Sequence, residues 1–153
     1  MQIFENNIEH LPDFIRLNEE WILKYFALED ADIELAANPS KIIENNGYIF
    51  SLVDNQLIVG VCALFSEGDG VFEVARLAVS PAHQGKGYGR VLLKTCLTKA
   101  TEVLHAQKVY LISNTKLKPA IKLYTEFGFI PVESVRHTFY ARGNITLQLN
   151  LTR

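Results

Sequence analysis

Three rhythms of apolar residues run along the chain, and each predicts a different kind of element. Gln2 to Glu5 reads as a short opening strand. From Ile8 to Leu28 the apolar positions Leu11, Phe14, Ile15, Leu17, Trp21, Ile22, Tyr25 and Leu28 recur in steps of three and four, which marks one face of a helix. The charged segment from Glu29 to Glu34 predicts a short second helix, stopped by Asn38-Pro39. Gly47 to Val53 and Leu57 to Phe65 are aromatic and β-branched runs around the turn Asp54-Asn55-Gln56, and read as a hairpin. Gly68-Asp69-Gly70 is the next turn, and Val71 to Val79 a third long strand.

The period then changes. Leu92, Cys96, Ala100 and Val103 share a helical stripe with Leu93, Leu97 and Leu104 beside it, predicting a helix from Val91 to about His105. Lys108 to Ser113 reads as a strand. Pro119 to Phe127 reads as a helix with Pro119 in its first turn and Gly128 at its C-terminal cap. Phe129 to Val132 and the alternating run Ile145 to Leu151 are the last strands. An antiparallel meander followed by strand, helix, strand, helix, strand predicts an α/β fold, a mixed sheet with helices packed on it.

Length and charge narrow the function. The 153 residues suit one domain spanning 1–153. Fifteen Lys and Arg against seventeen Asp and Glu give a net charge of −2, without the basic excess of a nucleic-acid binder. No apolar run is long enough for a membrane span, and the opening ten residues lack the basic and apolar regions of a secretory signal. Cys62 and Cys96 lie in apolar stretches with no C-x-x-C, so they read as core thiols of a cytoplasmic protein rather than a disulfide, a zinc site or a nucleophile. His83 reads as facing solvent, and His10, His105 and His137 have no partner pattern, so no metal site or catalytic triad is expected.

The most informative stretch runs from Leu77 to Leu93. It places a strand, a short loop, three alternating glycines (Gly85, Gly87 and Gly89) and a long helix in that order. Glycines let a ligand approach the backbone, and a helix start offers unpaired N–H groups and the positive end of a dipole, which together suit a phosphate or pyrophosphate. A P-loop is excluded because Lys86 is followed by Gly87. A dinucleotide fingerprint is excluded by the G-x-G-x-G spacing and by the five residues from Ser80 to Gln84 before it.

Gln84-Gly85-Lys86-Gly87-Tyr88-Gly89 matches the Q/R-x-x-G-x-G/A pattern of the GNAT N-acetyltransferase superfamily. Phe72 to Pro81 resembles that family's fourth strand. Ser113 to Phe129 resembles its fifth strand and following helix, ending in the L-Y-x-x-x-G-F pattern. Leu17 to Phe26 and Tyr140 to Asn144 resemble one bacterial branch, in which the domain is sometimes fused to a MarR-like DNA-binding module that this chain is too short to hold. The resemblance implies a GNAT-like fold, with antiparallel N-terminal strands splayed from a parallel fifth strand and helices on both faces.

It also implies acetyl-CoA as co-substrate, no metal, and transfer to a primary amine in a ternary complex. Backbone N–H groups of Gln84, Gly85, Lys86, Gly87, Tyr88, Gly89 and Arg90 would hold the pyrophosphate. Leu77, Ala78 and Val79 would pair with the pantetheine arm, and the Leu77 N–H would polarise the thioester carbonyl. Glu73 is the candidate base, its alternative being an outward-facing strand residue. Tyr124 is the candidate acid for the leaving thiolate, its alternative a packed aromatic. Asn114 would bind pantetheine or orient Tyr124, its alternative a turn-forming Asn. Trp21, Tyr25 and Phe26 read first as a buried helix face and, by resemblance, as a wall of the acceptor site. Arg76, Tyr140 and Arg142 are further acceptor candidates or simple surface charges, and Arg76 reads first as a surface charge.

The acidic residues Glu29, Asp30, Asp32 and Glu34 would attract a cationic amine, or simply form a solvated helix face. The partner is then a small-molecule or peptide amine, with neither nucleic acid nor membrane. Many family members are dimers, so a homodimer enters as an expectation. The alternative to an enzyme is a non-catalytic acyl-CoA-binding or interaction domain of the same fold.

Overall fold

A computed structural model describes residues 1–133 and 141–151. Among the described residues seven strands form one sheet in the order β1-β2-β3-β4-β5-β7-β6. They are β1 (Gln2–Glu5), β2 (Tyr48–Asp54), β3 (Leu57–Gly68), β4 (Val71–Val79), β5 (Lys108–Ser113), β6 (Ile130–Val132) and β7 (Ile145–Asn150). β1 to β4 pair antiparallel, as expected of a meander with short turns. β4 and β5 are parallel, because the helical crossover between them returns the chain in the same direction. β7 enters antiparallel between β5 and β6.

The helices cover both faces. α1 (Leu11–Tyr25), α2 (Asp30–Ala37) and α3 (Lys41–Glu44) follow β1, and α4 (Tyr88–Thr98) and α5 (Lys118–Glu126) follow β4 and β5. Alternate residues of β3 enter different cores. Val61 and Ala63 pack with Leu11, Phe14 and Leu17 of α1, whereas Cys62 and Leu64 pack with Leu92, Leu93 and Cys96 of α4. Both cysteines are therefore core thiols, and burial beside Cys62 pushes the Cys96 thiol well up. No helix among the described residues is long and apolar enough to cross a membrane.

The expected elements are present, with some differences in their bounds and form. The first helix opens with a 3-10 turn at Ile8–His10 and ends at Tyr25. The His10 ring lies 2.6 Å from the Ser51 hydroxyl, a partner 41 residues away that no local pattern announces. α3 is too short for a helical period to register. The helix expected to reach His105 begins three residues early and widens into a π-turn at Lys99–Val103, which carries Val103 out to solvent. His137 lies outside the described residues.

Candidate functional site

The site begins with a fault in β4. Val61 pairs with Ala78 and Ala63 with Ala75, so a two-residue step on β3 spans three residues on β4. The bulge sits at Arg76, whose φ of 61° is left-handed and costs a non-glycine residue about 1–3 kcal/mol. It reverses the alternation of the strand. Phe72 and Val74 belong to the α4 core, but beyond the bulge Ala78 belongs to the α1 core, and Leu77 and Val79 pack toward α4. β4 touches β5 only through the pairs Val71–Lys108, Phe72–Val109 and Glu73–Tyr110, and beyond Glu73 the two strands part. A cavity of about 120 Å³ occupies the parting. Leu77 borders it from the bulge, Tyr124 from α5, and Trp21 and Phe26 from the end of α1.

Past the end of β4 lies the glycine turn. Gly85 and Gly87 have φ of 81° and 83°, and nothing stands within 4 Å of where a Cβ would be on either. Gly87 caps α4, no side chain bonds the cap, and the first turn holds no acidic residue. The first N–H groups of α4 thus meet an open approach at the positive end of the helix dipole, which fits a phosphate or pyrophosphate.

The side chains around the turn are mostly occupied elsewhere. Gln84 Nε2 donates to the Val79 carbonyl at 3.1 Å. The Tyr88 hydroxyl donates to the Asp54 carboxylate, which lowers the Asp54 pKa and raises that of Tyr88. Arg90 pairs with Glu126 of α5 and lies 5.6 Å from the Phe127 ring. Lys86 is exposed. His83 differs from expectation: it is half-buried, and its Nδ1 is shielded from solvent without a hydrogen-bond partner among the described residues.

Glu73 and Tyr124 border the same cavity. Burial pushes the Glu73 carboxyl up to about 7, the Glu67 charge adds to the rise, and Arg76 and Tyr110 oppose it. A carboxyl with that value is half ionised near neutral pH, as a base needs to be. Burial, with a smaller effect from Cys62, raises the Tyr124 hydroxyl pKa as well, so it carries its proton at neutral pH. Asn114 borders the cavity too, but its amide is held by the chain. Nδ2 donates to the Arg142 carbonyl at 2.8 Å, and Oδ1 accepts the Lys116 N–H at 3.0 Å.

The cavity's outer wall departs furthest from expectation. Trp21 and Phe26 line it, with ring centroids 5.9 Å apart and Lys116 Nζ 4.2 Å from the Phe26 centroid. Tyr25 is no part of a buried face: it is 39% exposed, with Lys24 Nζ 5.3 Å from its ring. Tyr140 lies outside the described residues.

Arg76 is not a surface charge. Its side chain is 7% exposed and pairs with Asp32 at 2.8 Å, because a guanidinium removed from water needs an anion beside it. The Arg142 side chain, 13% exposed, grips both Asp32 oxygens at 2.7 Å and reaches Glu29 at 3.2 Å. Glu29 and Asp32 also cap α2 reciprocally. Burial alone would raise the Asp32 pKa, but the Arg142 hydrogen bonds, the Glu29 N–H and the Arg76 charge outweigh it and hold the group below its usual value. Two of the four acidic residues expected to attract a ligand are thus already paired, while Asp30 and Glu34 remain exposed.

Two signals for these residues were present in the sequence. The apolar positions Phe72, Val74, Leu77 and Val79 are spaced two, three, two, and the step of three is the bulge. The pair Glu29 and Asp32 has the spacing of a capping box in acidic residues.

Known proteins place this architecture. The model of the acetyltransferase (GNAT) family matches residues 12–129. A spermidine N(1)-acetyltransferase of Vibrio cholerae is 31% identical over 68 residues, 44% of this chain and 39% of the relative. The chain spans about two fifths of the length of the curated relatives it matches. Among solved structures, a GNAT-family acetyltransferase from Staphylococcus aureus Mu50 superposes with a TM-score of 0.86 at 18% identity, covering 99% of both chains. A spermidine N-acetyltransferase from Vibrio cholerae, in complex with CoA and spermine, superposes with a TM-score of 0.75 at 22% identity, covering 97% of this chain and 94% of that one. At these identities the structural likeness concerns the fold. With its family model matched over well over half its length, and with a sheet that parts between β4 and β5 beside a glycine-opened helix, the chain belongs to the acetyltransferase (GNAT) family.

Proposed function

We propose that the chain is an N-acetyltransferase, moving the acetyl group of acetyl-CoA directly onto a primary amine while both substrates are bound. The observation that carries this reading is the meeting, in one cavity at the parting of β4 and β5, of a carboxyl with a pKa of about 7 and a proton-bearing tyrosine. The match to a spermidine N(1)-acetyltransferase and the likeness to a CoA-bound relative support it.

The pyrophosphate of acetyl-CoA lies on the N–H groups from Gly85 to Arg90, where open space and an uncapped helix favour an anion. The pantetheine arm lies in the parting, against Leu77, Ala78 and Val79. An alkyl amine has a pKa near 10 and arrives as ammonium, so it must lose a proton before attack. Glu73 takes that proton, directly or through water. As the nitrogen attacks, charge grows on the thioester oxygen and the Leu77 N–H donates to it. Tyr124 then protonates the departing thiolate.

The test is CoA release from acetyl-CoA across a panel of primary amines, with the parent chain and Tyr124→Phe. The parent releases CoA only when an amine is present and leaves an acetylated amine. The variant binds acetyl-CoA as before and turns over on the order of 10²-fold more slowly. Binding of acetyl-CoA with no release for any amine makes the chain a cofactor-binding domain instead.

A further inference from the structure

Arg76 combines two features that a strand residue ordinarily avoids. Its backbone is left-handed, where glycine or asparagine is the common occupant, and its guanidinium is buried. Asp32, whose side chain is only 2% exposed, supplies an anion beside that guanidinium. Asp32 Oδ1 forms an ion pair with Arg76 at 2.8 Å, its two oxygens take the fork of Arg142, and Oδ2 accepts the Glu29 N–H at 2.9 Å. Glu29 in turn accepts the Ala141 N–H at 2.8 Å. One buried carboxylate therefore ties together three segments far apart in sequence: the first turn of α2, the bulge of β4, and the turn at 141–144 that leads into β7. The last two border the cavity, through Arg76 and Leu77 and through Arg142 and Gly143.

We infer that Asp32 is a positioning residue with two separable arms. Through Arg76 it fixes the bulge that presents Leu77 to the reacting carbonyl. Through Arg142 it fixes the wall against which the body of the acceptor amine packs. The inference rests on the acetyl-transfer reading above, but the arms themselves are properties of the fold.

The two arms act on different quantities. An N–H that stabilises charge developing in the transition state contributes chiefly to kcat, so disturbing the bulge lowers kcat. A wall that touches the acceptor equally before and during reaction contributes uniform binding, so disturbing it raises KM. A role in stability alone would move neither parameter below the melting temperature.

The test compares Arg76→Gln and Arg142→Gln with the parent at saturating acetyl-CoA, using the amine that releases most CoA. Arg76→Gln lowers kcat about tenfold or more and leaves the amine KM within about twofold. Arg142→Gln raises the amine KM about tenfold and leaves kcat within about twofold. Asp32→Asn does both, and Asp32→Glu recovers part of each. Unchanged kinetics in the two arginine variants, or equal movement of both parameters in both, overturns the inference.

A second readout needs no turnover: hydrogen exchange at the Leu77 amide of the whole chain without ligand. It quickens in Arg76→Gln and keeps the parent's rate in Arg142→Gln; equal rates in all three proteins overturn the role of the Arg76 arm. If the parent releases no CoA with any amine, the acetyl-transfer reading fails, and amide exchange still decides whether Asp32 holds the bulge. Where Asp32→Asn does not fold, the two arginine variants carry the comparison.

Discussion

The glycine turn and the Asp32 network flank one opening in the sheet and are built from opposite materials. At the turn, backbone does the work: Gly85 and Gly87 clear space, α4 presents its N–H groups, and Gln84, Tyr88 and Arg90 direct their side chains to other parts of the fold. In the network, side chains do it: two carboxylates and two guanidiniums, drawn from three segments, hold the wall and the bulge. A backbone site tolerates changes of side chain but not of conformation. A buried ionic site tolerates neither a lost charge nor a lost partner, because the group left behind stays desolvated.

The largest effect that can break this contrast is a change at Gly87. Acetyl-CoA raises the parent's melting temperature in proportion to ln(1 + [L]/Kd), and Gly87→Asp abolishes that shift. The aspartate puts a Cβ on a φ of 83° and a negative charge beside a polyanion, so affinity falls by about 10²-fold or more. An unchanged shift places the ligand elsewhere.

Next comes Glu73, where a single side chain sets the chemistry. The carboxyl must be ionised to accept a proton, and its ionised fraction grows as pH rises through about 7. The parent's kcat/KM therefore climbs through that region, while Glu73→Gln loses this limb and falls about tenfold to a hundredfold at pH 8. A profile that keeps its limb in the variant assigns the titration to another group.

The smallest effect sharpens the contrast from the other side. Gln84→Ala removes an exposed side chain bonded to Val79 and leaves the N–H groups in place, so acetyl-CoA affinity stays within about fivefold of the parent. A loss as large as that of Gly87→Asp would make the turn a side-chain site after all.

The same contrast explains what the sequence disclosed. The turn was legible because glycine spacing and a helix start are local, and one stretch from Leu77 to Leu93 contains all of it. Glu73 and Tyr124 were legible as candidates through the resemblance to the GNAT superfamily, but their meeting in one cavity depends on a strand separation that no local pattern states. The network was legible only in fragments, as the capping-box spacing of Glu29 and Asp32 and the step of three after Val74, and not as a whole. Asp32 and Arg142 are 110 residues apart, and a charged run such as Glu29 to Glu34 looks the same whether it meets water or a buried arginine. Arg76 departs from its expected place at the surface for a related reason: on a regular strand it would alternate to a definite face, and only the bulge, seen as the step of three from Val74 to Leu77, redirects it. Tyr25 sits on the helical stripe yet is 39% exposed, as the last residue of α1.

An ordinary open sheet has two margins, one at each outer strand. Here β4 and β5 keep only three paired rungs, so the sheet acquires two more margins in its interior, along Val74–Val79 and Leu111–Ser113. Any extended backbone, not only a small molecule with amide groups, is chemically matched to such a margin and can add to it as a strand. The protein manages this exposure by position: α1 stands over one face of the sheet and α4 over the other, leaving a slot rather than an open ledge. A ligand lying in that slot would therefore also guard the sheet against strand addition by a partly unfolded neighbour, so that resistance to aggregation and occupancy of the opening would rise and fall together.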